Sequence, residues 1–143
     1  MKRAEALRPL SREHLVALLA AKKLREAEDL TAATRDFLEF WDEEGRDHFR
    51  IEEEVLLPGW AAWGDLDRPG VARMLEEHLA IRREALRLAA GELTLTEVHA
   101  LGDLLHDHVR FEERRLFVAA EAALDDAALA RLAVAIELAE SAG

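Results

Sequence analysis

Residues 48–53 read His-Phe-Arg-Ile-Glu-Glu, and residues 108–113 read His-Val-Arg-Phe-Glu-Glu. Both segments follow the pattern H-x-x-x-E-E, with an arginine and an apolar residue at matching places. Residues four positions apart on an α-helix share a face, so each histidine and the first glutamate after it point the same way. One further histidine precedes each segment, His14 in the first half and His78 in the second. The duplication predicts two related helix pairs, each contributing two histidines and one glutamate.

Helix signals surround these segments along the chain. Ser11 is predicted to cap the first helix, and Pro58-Gly59 is predicted to end the second. Thr94 and Glu97 form a capping box typical of a helix start. A chain with only 7 glycines and 3 prolines, rich in Ala, Leu, Glu and Arg, favours helix throughout. The predicted helices cover about residues 11–27, 30–57, 69–90 and 94–120, and a loop is predicted at 60–68. Gly91 is predicted to end the third helix, and Asp125 to cap a short fifth helix at about 126–140.

Apolar stripes in three of these helices are interrupted only by histidine and glutamate. Four long helices with short connections pack as an antiparallel bundle, so these polar side chains are expected to face its axis. An unpaired buried charge costs roughly several kcal/mol, so the cluster requires neutralisation, which a metal cation would supply. The stripes are Phe37, Trp41, Gly45, His48, Glu52 and Val55; Val71, Leu75, His78, Ala85 and Leu88; and Leu101, Leu105, His108, Glu112 and Ala119.

The ligand chemistry is restricted to nitrogen and oxygen donors because the chain has no cysteine. Glu52 and Glu112, one from each half, are suited to bridge two ions about 3.5–4 Å apart, and each ion would receive two of the four histidines. Imidazole together with carboxylate suits iron, manganese, zinc or copper, whereas calcium prefers oxygen ligands alone. A redox-active pair of iron ions is favoured, and other first-row metals stay possible.

These motifs resemble those of the hemerythrin-like, or HHE cation-binding, domain family, from His14 to about residue 121. The resemblance rests on Glu13-His14, residues 48–58, Glu77-His78 and residues 108–117. It implies an up-down-up-down four-helix bundle with two non-heme, carboxylate-bridged iron ions. By the same resemblance, the metal ligands are His14, His48, Glu52, His78, His108 and Glu112.

The sequence departs from the pattern of the oxygen carriers at one position. Oxygen-carrying members of that family place a further histidine four residues after the third-helix ligand, where this chain has Arg82. Leu18, four residues after His14, does not supply it either. A cation beside two metals is unfavourable, so Arg82 is expected to turn outward to solvent. Pairing of Arg82 with a carboxylate, or with a bound anion, is the alternative.

Three carboxylates, two histidines and two tryptophans near the motifs are predicted to lie outside the metal site. His106, for example, is rotated about 200° from His108 around their helix. The set comprises Glu53, Glu54 and Glu113, expected to be exposed; His99 and His106, expected at the surface; and Trp60 and Trp63, expected to cover one end of the bundle.

Length and charge limit the remaining possibilities. A chain of 143 residues fits a single domain over residues 1–143, with the bundle core at about 11–121. The net charge of −11 opposes binding to nucleic acid or to anionic lipid, and no segment has the roughly 20 apolar residues of a membrane span. We therefore expect a soluble, cytoplasmic protein that is monomeric or a small homo-oligomer.

Three functions remain open at the level of sequence. The centre could bind oxygen, nitric oxide or a related small ligand for storage, scavenging or sensing. It could instead be a di-iron oxidoreductase acting on peroxide or oxygen, or the bundle could have lost its metal. Whether the protein is an enzyme stays open because no general acid or base stands out beyond the predicted ligands.

Overall fold

The computed structural model describes residues 2–142, and these form five helices without any β-strand. The all-helical fold class is confirmed. Residues 1 and 143, the outer limits of the predicted domain, lie outside the described residues. The helices are α1 (Arg8–Arg25, after a 3₁₀ turn at Glu5–Leu7), α2 (residues 30–63), α3 (Arg68–Ala89), α4 (residues 95–123) and α5 (Asp126–Ala142).

Helices α1–α4 contact one another around a shared interior. Helix α1 makes its most extensive contact with α4 and a smaller one with α2, while α3 packs against both α4 and α2. Helix α5 packs against the 3₁₀ turn that precedes α1 and against the second half of α2. Within residues 2–142, none of the helices has the length and hydropathy of a membrane span.

Two apolar clusters make up the core, and a polar layer separates them. In α1, Leu10 belongs to one cluster and Ala17 to the other, with His14 between them. In α3, His78 occupies the same position between residues of the two clusters. The histidines therefore lie in one layer that is covered on both sides by packed apolar side chains.

Helices α2 and α4 are continuous but contain π-helical turns. Two of these turns begin on the glutamates of the repeated motif, at Glu52–Leu56 in α2 and Glu112–Leu116 in α4. A third spans Trp41–Gly45, just before the histidine of α2. Single π turns inside α-helices are rare and occur frequently at functional sites. Their repetition at the same place in both halves marks the polar layer as such a site.

The π turns change which side chains face the core further along each helix. Within the π turn in α2 the buried apolar residue is Leu56, whereas Val55 is only partly buried. After the π turn in α4 the buried face continues through Ala120, and Ala119 is only partly buried. The predicted stripes are displaced by one residue beyond each glutamate because a π turn holds one residue more than an α-helical turn.

The prediction that Pro58-Gly59 ends α2 is wrong, and the helix continues to Trp63. Proline inside a regular α-helix clashes with the carbonyl four residues earlier, but here the wider π turn lies just before Pro58 and changes that geometry. The predicted loop is therefore partly helical. Trp60 lies in the core with 0% exposure, and its Nε1 donates to the carbonyl oxygen of Asp65 at 2.8 Å.

Several predicted helix ends are confirmed. Thr94 and Glu97 form the reciprocal capping box at the start of α4. Asp125 accepts a hydrogen bond of 2.8 Å from the backbone N–H of Ala128 at the start of α5. Gly91, with a φ of 74°, lies just beyond the end of α3, in a conformation that favours glycine. Helix α4 extends three residues beyond its predicted end, and α5 is longer than predicted.

The predicted cap of α1 is wrong. The helix begins three residues before Ser11, with Pro9 in its first turn, where a missing N–H has no cost. The Ser11 hydroxyl donates to Glu113 of α4 instead, at 2.8 Å. His99 is not a free surface side chain either, because its Nε2 lies 2.7 Å from the carbonyl oxygen of Ala27.

Helix α3 buries a face slightly rotated from the predicted one. Met74 and Ile81 are in the core together with Ala85 and Leu88, whereas Leu75 is 43% exposed. Steps of four and three residues from Met74 pass through His78, so the helical periodicity itself holds. The predicted stripe included Leu75 because Met74 and Leu75 are adjacent and both apolar, and only one of them can face the core.

Candidate metal centre

The six side chains predicted as ligands are all buried in the polar layer. Helices α1 and α3 contribute one histidine each, while α2 and α4 each contribute a histidine and a glutamate four residues apart. Glu52 and Glu112 have no solvent exposure. The fold thus brings together six residues that lie on four different helices.

These side chains form two compact groups that share both glutamates. In each group, one ligand atom from every residue lies within 4.8 Å of the others. Imidazole nitrogens and carboxylate oxygens at such spacing are suited to a first-row metal ion. The groups are His14, His48, Glu52 and Glu112, and Glu52, His78, His108 and Glu112.

Each shared glutamate presents one oxygen to each group. Oε2 of Glu52 lies 3.2 Å from Nε2 of His48, and its Oε1 lies 3.1 Å from Nε2 of His78. Glu112 is oriented in the same way. Its Oε1 lies 2.8 Å from Nε2 of His14, and its Oε2 lies 3.0 Å from Nε2 of His108. Carboxylates in this orientation can bridge two neighbouring ions.

Buried atoms of these groups lack hydrogen-bond partners within the part of the chain that the structure describes. They are Nε2 of His48, Nε2 of His108 and both carboxylate oxygens of Glu52. A buried polar atom left without a partner costs about 1–3 kcal/mol. A metal ion would satisfy every one of them, so the residues present fit a bound cation.

A second set of glutamates holds the outer nitrogen, Nδ1, of each histidine. Such carboxylate–histidine pairs fix the ring orientation and make the inner nitrogen a stronger ligand. The four pairs form a closed ring around the bundle, because each histidine is held by a glutamate of another helix. They are Glu113 with His14, Glu13 with His48, Glu53 with His78 (2.6 Å each), and Glu77 with His108 (2.8 Å).

The expectation that Glu53 and Glu113 are exposed is wrong, since each is partly buried against a histidine. The signal is present in the sequence as a repeated doublet, Glu-His in α1 and α3 and Glu-Glu in α2 and α4. Adjacent helical residues point about 100° apart. One member of each doublet can therefore face the shared interior while the other faces the next helix.

Arg82 does not turn outward as the preferred prediction stated. Its guanidinium lies 3.1 Å from Oε2 of Glu53, and its side chain is 37% exposed. The alternative, pairing with a carboxylate, is what the structure contains. Arg82 therefore contacts the group that holds His78.

The surrounding carboxylates alter the pKa values of the histidines. Burial alone would lower the pKa of His48, but the charge of Glu52 and the hydrogen bond with Glu13 outweigh it and raise the pKa to about 9. For His78, hydrogen bonds with glutamates of both sets likewise outweigh burial and raise the pKa to about 11. The pKa values of His14 and His108 are raised for the same reasons.

The two shared glutamates are shifted in the opposite direction. Burial and the neighbouring charge of Glu112 would raise the pKa of Glu52, but His48 and His14 lower it to about 2. Burial would also raise the pKa of Glu112, but the charge of His108 and hydrogen bonds from the histidines hold it well below its usual value. The raised pKa values favour protonated histidines in the metal-free protein, so a bound cation would have to displace those protons.

A small cavity lies beside the two groups. Its volume is about 10 Å³, which is room for about one water molecule. Polar atoms of the site form one wall, and the rest is largely apolar apart from Glu44, with the buried Trp41 and Phe49 among its lining residues. The apolar residues that complete the wall are Ala17, Phe40, Leu105 and Val109.

An all-helical fold with a buried layer of paired histidines and shared glutamates defines a class of cation-binding helical proteins. The chain matches the family described as Hemerythrin HHE cation binding domain over residues 6–120, and it belongs to that family. The resemblance noted from the sequence motifs is thereby confirmed. Neither the curated proteins nor the solved structures include a significant match to the chain.

Proposed function

We propose that this protein holds two iron ions side by side and uses them to bind oxygen, nitric oxide or a related small ligand. The observation that carries the proposal is the orientation of Glu52 and Glu112, each of which presents one oxygen to each pair of histidines. In a site for a single ion, only one oxygen of each glutamate would lie next to the metal, and the other would have no ion to bind. Membership of a cation-binding family supports the same conclusion.

Each ion would receive two histidine nitrogens and one oxygen from each shared glutamate. That set leaves coordination positions open for an external ligand, as an ion-based binding site requires. When bound, an iron pair would supply redox chemistry and affinity for diatomic molecules. The protein residues would hold the ions in place, orient the histidine rings and keep bulk water away.

The cavity supports a small ligand. It lies against His14, His48 and His108, and its remaining wall is largely apolar. With room for about one water molecule, it favours a diatomic molecule or peroxide over an organic substrate. Trp41 and Phe49 would then exclude larger molecules from the metals.

An oxidoreductase acting on peroxide or oxygen is the second candidate. It is favoured by the position of Arg82, which pairs with Glu53 and adds no ligand, so both ions keep open positions. Peroxide turnover by the iron-loaded protein at a rate well above that of free iron would select this function. A rate equal to that of free iron would leave ligand binding as the function.

The proposal includes the arrangement of the whole bundle. The short connections between consecutive helices support an up-down-up-down order of α1–α4, with α5 packed beside them. The net charge of −11 supports a monomer or small homo-oligomer that has no nucleic acid or membrane partner.

Elemental analysis of the purified protein, before and after anaerobic loading with iron(II), tests the metal site. We expect about two irons per chain in the wild type and a loss of tight iron in the double variant Glu52→Gln/Glu112→Gln. The double variant Glu54→Gln/Glu76→Gln, at two exposed carboxylates, is the matched control and should keep both irons. Equal metal content in all three proteins would contradict the proposal, and no tight metal in any of them would indicate a bundle that has lost its metal.

A further inference from the structure

Arg82 and His78 both contact the same carboxylate oxygen of Glu53. Oε2 of Glu53 accepts from Nδ1 of His78 at 2.6 Å, and the same oxygen lies 3.1 Å from the Arg82 guanidinium. The positive charge of Arg82 therefore lies next to the oxygen that accepts the hydrogen bond from His78. The contact of Arg82 with Glu53 is an ion pair, and it restricts the carboxylate that the histidine also holds.

Arg82 also lies next to the ring that packs on the same histidine. Phe49 stacks on His78 with ring centroids 3.8 Å apart and an angle of 2° between the planes. The guanidinium carbon of Arg82 is 5.8 Å from the centroid of the Phe49 ring, within the range of a cation–π contact. One arginine thus supports both groups that fix the orientation of His78.

Two other outer glutamates, Glu77 and Glu113, also contact an arginine, but through a different oxygen. Arg73 contacts Oε2 of Glu77, while Oε1 of Glu77 holds His108. Arg3 contacts Oε1 of Glu113, while the other oxygen of Glu113 holds its histidine. In both cases the cation lies on the oxygen that the histidine does not use. Of these three contacts between an arginine and an outer glutamate, the one at Glu53 places arginine and histidine on a single oxygen atom.

We propose that Arg82 is a positioning residue for the metal centre, which orients His78 through Glu53 and Phe49. This inference rests on the proposed two-metal site. Arg82 binds no metal itself; it restricts the carboxylate that holds the Nδ1 proton and so fixes the direction of Nε2. The effect is confined to the position formed by His78 and His108, so the two metal positions differ in what holds their ligands.

The hydrogen bond itself can be tested in metal-free protein by ¹H–¹⁵N NMR of the histidine rings. We expect a downfield Nδ1–H signal of His78 that is lost in Glu53→Gln and shifted in Arg82→Gln. Arg82→Lys, which keeps the charge, should restore most of the wild-type signal. Arg83→Gln, at an exposed neighbour paired with Glu84, is the matched control and should leave the signal in place.

Zinc(II), a redox-inert probe, tests the consequence for metal binding. We expect Arg82→Gln to weaken one of two zinc ions roughly tenfold and to leave the other unchanged, with Arg82→Lys close to wild type. An Arg82→Gln protein with an unshifted His78 signal and unchanged or tighter zinc binding would overturn the inference while leaving the two-metal site intact. If the wild type binds neither zinc nor iron, the proposed function fails and the metal-positioning role fails with it. A His78 signal that still shifts in Arg82→Gln would then show only that Arg82 orients His78.

Discussion

At the scale of single residues, the candidate centre combines two kinds of glutamate. Glu52 and Glu112 lie between the histidines and face both metal positions, whereas Glu13, Glu53, Glu77 and Glu113 hold the histidines from outside. The first kind would bind the metal. The second kind fixes the direction and basicity of the nitrogens that bind it.

The role of the outer glutamates can be tested at Glu77. Replacing Glu77 by glutamine should weaken metal binding at the His108 position by about 10–100-fold, because the ring loses its charged acceptor. Competition with a chromophoric chelator measures this affinity. Glu76→Gln, at the exposed neighbouring residue, is the control and should bind like the wild type. Equal affinities in the two variants would show that Glu77 has no part in the site.

The raised histidine pKa values predict how the metal-free protein responds to pH. A histidine whose pKa is higher in the folded state stabilises the fold below its ordinary value of about 6.5, and that stabilisation is lost as pH rises through the folded value. With folded values of about 9 for His48 and about 11 for His78, the free energy of unfolding should fall as pH rises above about 6.5.

Urea denaturation at a series of pH values measures that fall. Saturating metal should abolish much of it, because the cation replaces the protons on Nε2. In His48→Gln the fall between about pH 6.5 and 9 should be smaller, because the raised pKa of that histidine no longer contributes. A metal-free wild type whose stability is constant from pH 6.5 to 9 would contradict the proposed charge state.

Local spacing in the sequence predicts four of the six inner residues, since His48 with Glu52 and His108 with Glu112 share a face in any regular helix. The other two, His14 and His78, are predicted from the duplication and the family resemblance. The outer glutamates were not predicted, because each acts on a histidine of a different helix. Glu113 reaches the histidine of α1, for example, which depends on how α1 packs against α4. Spacing within one helix contains no information about such contacts.

At the scale of helices, the π turns have a structural role that composition does not reveal. Two of the three begin on a shared glutamate and displace the following buried face by one residue. The sequence predicted where α2 and α4 start but not these turns, because every residue in them is compatible with a regular α-helix. The same omission caused the wrong end of α2 at Pro58.

Deletion variants can test whether the turn in α4 is a one-residue insertion. Deleting Arg114, an exposed residue inside that turn, should convert it to a regular helix and leave later residues on their buried faces. Thermal unfolding followed by circular dichroism should give a midpoint within a few degrees of the wild type. Metal binding should nevertheless weaken, because the backbone at Glu112 changes.

Deleting Arg83 from the regular helix α3 is the matched comparison. It should rotate all later residues of α3 by about 100° and turn Leu88 out of the core, at a cost of about 2–5 kcal/mol. If both deletions destabilise the protein equally, the interpretation of the π turn is incorrect.

At the scale of the whole molecule, the ring of histidine–glutamate pairs joins all four long helices in one layer. This layer separates the two apolar clusters of the core. The stability of the bundle therefore depends on the charges in the layer being neutralised and its side chains being well packed. A metal pair would link α1–α4 through atoms that are otherwise unsatisfied.

Metal removal should therefore lower the stability of the whole protein. At a free metal concentration a hundred times the dissociation constant, each occupied position adds about 2.7 kcal/mol. For a protein of this size, that corresponds to roughly 5–10 °C in the thermal midpoint. Scanning calorimetry of iron-loaded and chelator-treated protein measures the difference. A midpoint unaffected by the chelator, in protein known to contain metal beforehand, would place that metal outside the core.

The central claim is that two metal ions lie side by side between four histidines on two shared glutamates. Anomalous diffraction at the iron edge, from crystals of the iron-loaded protein, tests it most directly. We expect two peaks about 3.5–4 Å apart, one between His14 and His48 and the other between His78 and His108. A single peak, or peaks at surface carboxylates with none in this layer, would contradict it.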